Sequence, residues 1–191
     1  MPRFPNPMKF TTVPEYLKAI VNGPISQPCE MTCQATCIHA VTGGEESIES
    51  IREQLVAMGQ AGDPMVMANY LKGFFGDRYQ YVPNASIADM AQWIGDGEVL
   101  ITHGWFSNSG HVLILDGHKQ GFFRVMDPYE EFDARSWRYP GSLQAFSGVY
   151  SEQLIYAACI TGQSRDDADA AYQAKGFNRN EKDAWVHRIQ P

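Results

Sequence analysis

The stretch Gln27-Pro-Cys-Glu-Met-Thr-Cys33-Gln-Ala-Thr-Cys-Ile-His-Ala-Val41 passes from a loop into a helix. Pro24 and Pro28 bound the loop. Ala35, Cys37, Ile38, Ala40 and Val41 then follow at an apolar spacing that fits a helix entering a core. Thr32 is the expected N-cap, so Cys33 opens the first turn. A thiol there lies beside backbone N–H groups that have no helical partner and beside the positive end of the helix dipole, which favours the nucleophilic thiolate. Gln27 precedes Cys33 closely enough for the loop to fold its amide back towards the sulfur. That amide and the backbone N–H of Cys33 would then donate together to the oxyanion of a tetrahedral intermediate.

A nucleophilic cysteine needs a base, and the base needs a group that orients it. Val99-Leu-Ile-Thr reads as a strand and Ser107-Asn-Ser-Gly110 as a turn, after which His111-Val-Leu-Ile-Leu starts a second strand. Gly117-His-Lys-Gln-Gly is the next turn. Phe122-Phe-Arg-Val-Met-Asp127 is a third strand that ends on a carboxylate. In an antiparallel hairpin the start of one strand lies opposite the end of the next, so His111 and Asp127 are predicted neighbours. Asp127 would accept from one imidazole nitrogen while the other faces Cys33.

Gln27, Cys33-Gln-Ala-Thr-Cys-Ile, Gly110-His111-Val-Leu-Ile-Leu-Asp-Gly and Val125-Met-Asp127-Pro-Tyr129 stand in an order that resembles the papain-like cysteine peptidases related to the bacteriocin-leader (double-glycine) peptidases. The resemblance spans residues 20 to 160. It implies Cys33 as nucleophile, His111 as base, Asp127 as its orienting partner and Gln27 as oxyanion donor. Two departures bear on substrate choice: Gln34 stands where many members have glycine, and Glu130 and Glu131 follow Asp-Pro-Tyr where glycine is more usual. Gln34, His103, Trp105 and Gly110 are the candidate substrate-binding residues, since all lie beside the expected cleft.

The expected architecture is α+β, with an N-terminal helical part whose nucleophile helix packs on an antiparallel sheet. Residues 1–162 would form the peptidase domain, with an arm and a first helix in residues 1–22. Residues 163–191 read as a polar helix near Asp166 to Ala174 followed by a surface tail. Ser47 to Met58 and Met65 to Phe75 carry helical apolar stripes, Arg78-Tyr-Gln-Tyr-Val alternates as an edge strand, and Asn84 to Ile94 reads as a capped helix. Glu152 to Ile160 suits either a returning strand or a buried helix.

The chain has 191 residues, 44% of them hydrophobic and 19% charged, which suits one globular domain with a sizeable core. A net charge of −7 disfavours a nucleic-acid groove as the main surface. The expected partner is a peptide or protein substrate, a peptidoglycan cross-link being one form of it. No run approaches the roughly 20 apolar residues of a membrane span. The opening residues lack the pattern of a secretory signal, so synthesis and retention in the cytosol, or release by lysis or in a virion, are expected. Cys29, Cys33 and Cys37 would share one face of a continuous helix, but their spacing fits no usual zinc or iron–sulfur run, and no metal or cofactor is expected. Acyl transfer by the same residues, and a binding or virion-structural module that keeps the fold without its chemistry, are the alternatives.

Overall fold

A helix that is buried on nearly every side must be enclosed rather than laid on a surface. The first helix, α1 (Cys33–Val41), is of that kind: every residue but Cys33 and His39 is buried. It is closed in by α2 (Ile48–Met58), α3 (Pro64–Phe75) and one face of the sheet. Ser47 and Asp63 start α2 and α3 by accepting from the backbone N–H groups of Ser50 and Met65, and Pro64 sits where no helical N–H is needed. The structure is a computed structural model and describes residues 25–28, 32–60, 62–142 and 144–191. The expected arm, the helix over residues 13–21 and Cys29 lie outside the described residues.

The strands are β1 (Tyr79–Ala85), β2 (Val99–Gly104), β3 (His111–Lys119), β4 (Phe122–Asp127), β5 (Phe146–Ser151) and β6 (Ala184–Ile189). They form one sheet in the order β1-β6-β2-β3-β4-β5, and every neighbouring pair is antiparallel. The remaining helices are α4 (Ile87–Gly95), started by a capping box between Ser86 and Asp89, α5 (Glu152–Cys159) and α6 (Arg165–Gln173). The ambiguous segment after Ser151 is therefore a helix.

The mixed α and antiparallel β composition expected from the sequence is what the chain adopts, with one more layer than expected. Side chains alternate along the strands. Val99, Ile101, Val112 and Ile114 pack with α1, α2 and α3, while Leu100, Leu113 and Leu115 pack with α4 and α5. The central strands are covered on both faces, so they read in sequence as unbroken apolar runs that do not announce which face meets which helix.

The larger difference lies in residues 163–191. The helix is present as α6, but the expected surface tail supplies β6, which is inserted between β1 and β2. Its backbone is paired on both sides, and Ala184, Val186 and Ile189 are fully buried. Six residues of alternating pattern behind a polar stretch are a weak local signal, and the partners of β6 lie far upstream. No helix among the described residues is long and apolar enough to cross a membrane.

Candidate active site

The turn between β2 and β3 brings Gly104 and His111 into register. Gly110, just before the histidine, has φ of +76°, a conformation glycine adopts without a Cβ clash. Ser107 fixes this turn: its carbonyl accepts from the Gly110 N–H and its hydroxyl donates to the Gly110 carbonyl at 2.7 Å. Gly104 is required for a different reason. A Cβ there would lie 2.7 Å from Phe106, 2.9 Å from the Cys159 sulfur and 3.1 Å from the Ala158 carbonyl, so α5 approaches the strand only over a bare backbone.

One hairpin further, Ile114 pairs with Met126, which makes His111 and Asp127 diagonal neighbours on the same face. The His111 Nε2 lies 2.7 Å from Asp127 Oδ1, and both residues are buried. With Nε2 committed to the carboxylate, Nδ1 is the nitrogen left for a thiol. Cys33, at the start of α1, lines the same cavity as this imidazole and bears on it electrostatically. Burial is the largest single influence on His111 and opposes its charge. The Asp127 charge and hydrogen bond, joined by Cys33, outweigh burial and raise the histidine pKa to about 10. The imidazolium is thus the resting form at neutral pH.

Asp127 is held from four directions. Its Oδ1 also accepts from the Tyr129 N–H at 3.0 Å, and its Oδ2 accepts from the hydroxyls of Tyr139 at 2.9 Å and Tyr150 at 3.1 Å. Burial, and then the Asp127 charge, push both phenols above their ordinary range, so they remain donors. Gln27 is buried, and its N–H donates to the Pro128 carbonyl at 2.8 Å, which sets the Gln27 loop beside Asp127.

Next to this trio opens a cavity of about 580 Å³ that reaches Cys33, Gln34, His103, Trp105, Gly110 and His111. All four residues expected to bind substrate therefore line it. Gln34 does so from a buried position with both ends of its amide occupied: Oε1 accepts from the Gly62 N–H at 3.1 Å and Nε2 reaches the Asp63 carbonyl at 3.4 Å. Its side chain braces the loop that forms one wall. Trp105 is fixed through its backbone, donating to the Ala158 carbonyl at 2.8 Å and accepting from Trp137 Nε1 at 3.1 Å.

Three free cysteines are described, and of these Cys33 is the one that bears on the His111 imidazole. Cys37 is fully buried against the Val112 carbonyl; burial, then Cys33 and Asp127, raise its pKa well above the ordinary thiol value. Burial pushes Cys159 up to about 12 against an opposing hydrogen bond from Thr102. Both are held as neutral thiols.

Tyr139, Tyr150, Asp183 and Trp185 were not legible as site residues. The tyrosines reach Asp127 from an irregular segment and an edge strand, and no periodicity connects them to it. Asp183 and Trp185 line the cavity because β6 lies inside the sheet, and the only available signal was the short alternation around Trp185.

No protein-family model matches the chain, and no curated protein does. Among solved structures the chain is similar to a crystal structure described as a "putative C39-like peptidase from Bacillus anthracis". The TM-score is 0.49 at 11% identity, covering 91% of this chain and 96% of that one.

Proposed function

We propose that the protein is a cysteine peptidase or related amide hydrolase of papain-like architecture, acting through Cys33, His111 and Asp127. The observation that carries the reading is the position of His111. One of its nitrogens is 2.7 Å from a buried carboxylate, and it lines one cavity with Cys33, the thiol at the start of a helix. That arrangement suits nucleophilic catalysis.

The Cys33 thiolate attacks the substrate carbonyl carbon and the carbonyl electrons move to oxygen. The backbone N–H of Cys33 and the Gln27 amide donate to that oxyanion. As the intermediate collapses, the C–N bond breaks, the imidazolium of His111 protonates the departing amine and a thioester remains. Water then attacks the thioester, His111 takes its proton, and cleavage of the C–S bond returns the thiolate with the imidazolium beside it. Asp127 holds the ring in orientation and stabilises its charge. The substrate is a peptide bond, in a protein or in a peptidoglycan stem.

Incubation of the full chain with a proteome-derived peptide library, read by mass spectrometry, tests this. New termini should appear with the parent protein and vanish with Cys33→Ala, while circular dichroism stays unchanged. Products heavier than those of hydrolysis by the mass of an amine less that of water would identify acyl transfer. Alkylation of Cys33 by iodoacetamide at pH 6 should slow at least about tenfold in His111→Ala, which removes the partner of the thiolate. Undiminished cleavage by Cys33→Ala would overturn the assignment.

A further inference from the structure

Three polar side chains that the mechanism does not use cross the sheet in a line. Tyr79, His187 and His103 belong to β1, β6 and β2, which are adjacent, and all point to the face covered by α1, α2 and α3. His187 pairs in register with Tyr81 on one side and Ile101 on the other, so Tyr79 and His103 are its diagonal neighbours. The Tyr79 hydroxyl is 2.7 Å from His187 Nδ1, and His187 Nε2 is 2.9 Å from His103 Nε2. His187 is fully buried and Tyr79 nearly so, whereas His103 lines the cavity beside Cys33.

The protons in this line follow from the geometry. Two imidazole nitrogens 2.9 Å apart require one proton between them. Tyr79 keeps its own proton, because burial and then Tyr81 push the phenol above its ordinary range. Among the described residues the only acceptor for that O–H is His187 Nδ1. Were Nδ1 protonated, the Tyr79 O–H would be buried without a partner, which is disfavoured. His187 Nδ1 is therefore bare, and its single proton sits on Nε2 and is donated to His103 Nε2. That nitrogen must be bare in turn, so the one proton of a neutral His103 is on Nδ1.

His103 is neutral. Burial is the main cause, partly offset by Asp63 and reinforced by His111, and its pKa falls to about 4. Its Nδ1 makes no hydrogen bond among the described residues, His103 itself lines the cavity, and its ring packs against Trp185 at 6.3 Å between centroids. The cleft thus holds two imidazoles in opposite states. His111 is charged and moves protons, whereas His103 offers one fixed neutral N–H.

We infer that His103 is a substrate-binding residue that donates its Nδ1–H to a carbonyl oxygen of a peptide in the cleft, with His187 and Tyr79 as positioning residues that fix its tautomer. The substrate half of this inference rests on the peptidase reading; the tautomer does not.

Two measurements on the full chain test it. In the first, the protein carries 15N-histidine, two-bond proton–nitrogen spectra report each ring, and His103→Gln and His187→Gln supply the resonance identities. His103 should be protonated at Nδ1 and His187 at Nε2, both unchanged from pH 5 to pH 8, and Tyr79→Phe should turn both into tautomer mixtures. A parent spectrum with His103 protonated at Nε2 overturns the inference.

In the second, an epoxysuccinyl-leucyl amide inactivates Cys33, and KI is separated from the limiting rate. His103→Phe and Tyr79→Phe should raise KI about three- to tenfold, as loss of one hydrogen bond requires, with the change confined to KI. An unchanged KI in a folded His103→Phe variant overturns the binding role. A parent protein that the epoxide does not modify overturns the peptidase reading and the substrate half together, and the spectra still decide the tautomer.

Discussion

Asp127 presents Oδ1 to His111 Nε2 at 2.7 Å and keeps Oδ2 for two tyrosine hydroxyls, so only one of its two oxygens serves the histidine. The other anchors it. A carboxylate held this way cannot turn away from the imidazole without breaking the hydrogen bonds of two tyrosine hydroxyls.

The charge on His111 ties stability to pH. Its folded pKa of about 10 lies above the ordinary histidine value of about 6.5, so the folded state binds the proton more tightly than the unfolded chain does. This contribution is complete below about pH 6.5 and is lost as pH rises through about 10. Urea midpoints taken from pH 6 to pH 10 should fall more steeply for the parent protein than for His111→Gln, and parallel curves would refute the prediction.

Substituting Asp127 with Asn should harm the fold as well as the chemistry. An amide offers one oxygen where four donors converge, and its N–H₂ would face donors. A loss of about 3 kcal/mol is expected, in the range for breaking a buried charged pair, together with a fall in kcat/KM beyond tenfold. Tyr150→Phe removes a donor to Oδ2 and an acceptor for the Phe132 N–H, which lies 2.9 Å from the Tyr150 hydroxyl, and should cost about 1–3 kcal/mol. Urea unfolding of both variants gives the comparison.

Gly104→Ala should destabilise by about 1–3 kcal/mol through overpacking against α5. Because one of the contacts is the Cys159 sulfur, Cys159→Ala should recover part of the loss, while the Ala158 carbonyl and Phe106 keep the recovery incomplete. A double-mutant cycle measures the coupling.

Deleting residues 184–191 should abolish cooperative unfolding. Without β6, neither β1 nor β2 has its partner on that side, and Ala184, Val186 and Ile189 leave two cores at once. A truncated chain that still melts in one sharp transition would show that the sheet closes some other way.

How much of this was legible depended on the range over which each feature is specified. The helix start at Cys33, the strand start at His111 and the strand end at Asp127 are written in apolar spacing and turn residues within a few positions. Two successive hairpins then bring the last two together. β6 is specified by pairing with strands some 80 and 100 residues upstream, and its six residues are too few to outweigh the polar stretch before them. The bracing of the Gly62 loop by Gln34 has no periodic trace either, because a side-chain amide that caps a loop from inside looks in sequence like any buried or exposed glutamine.

The interleaving of β6 also sets an order in time. Ribosomes make the nucleophile helix long before residue 189, and protein domains gain structure as they emerge. Here the floor of the cleft cannot close until β6 slides between two strands already made, bringing Trp185 and His187 with it. A nascent chain therefore carries Cys33 without the strand that lines part of the cavity beside it, and that cavity is completed only once translation has passed β6.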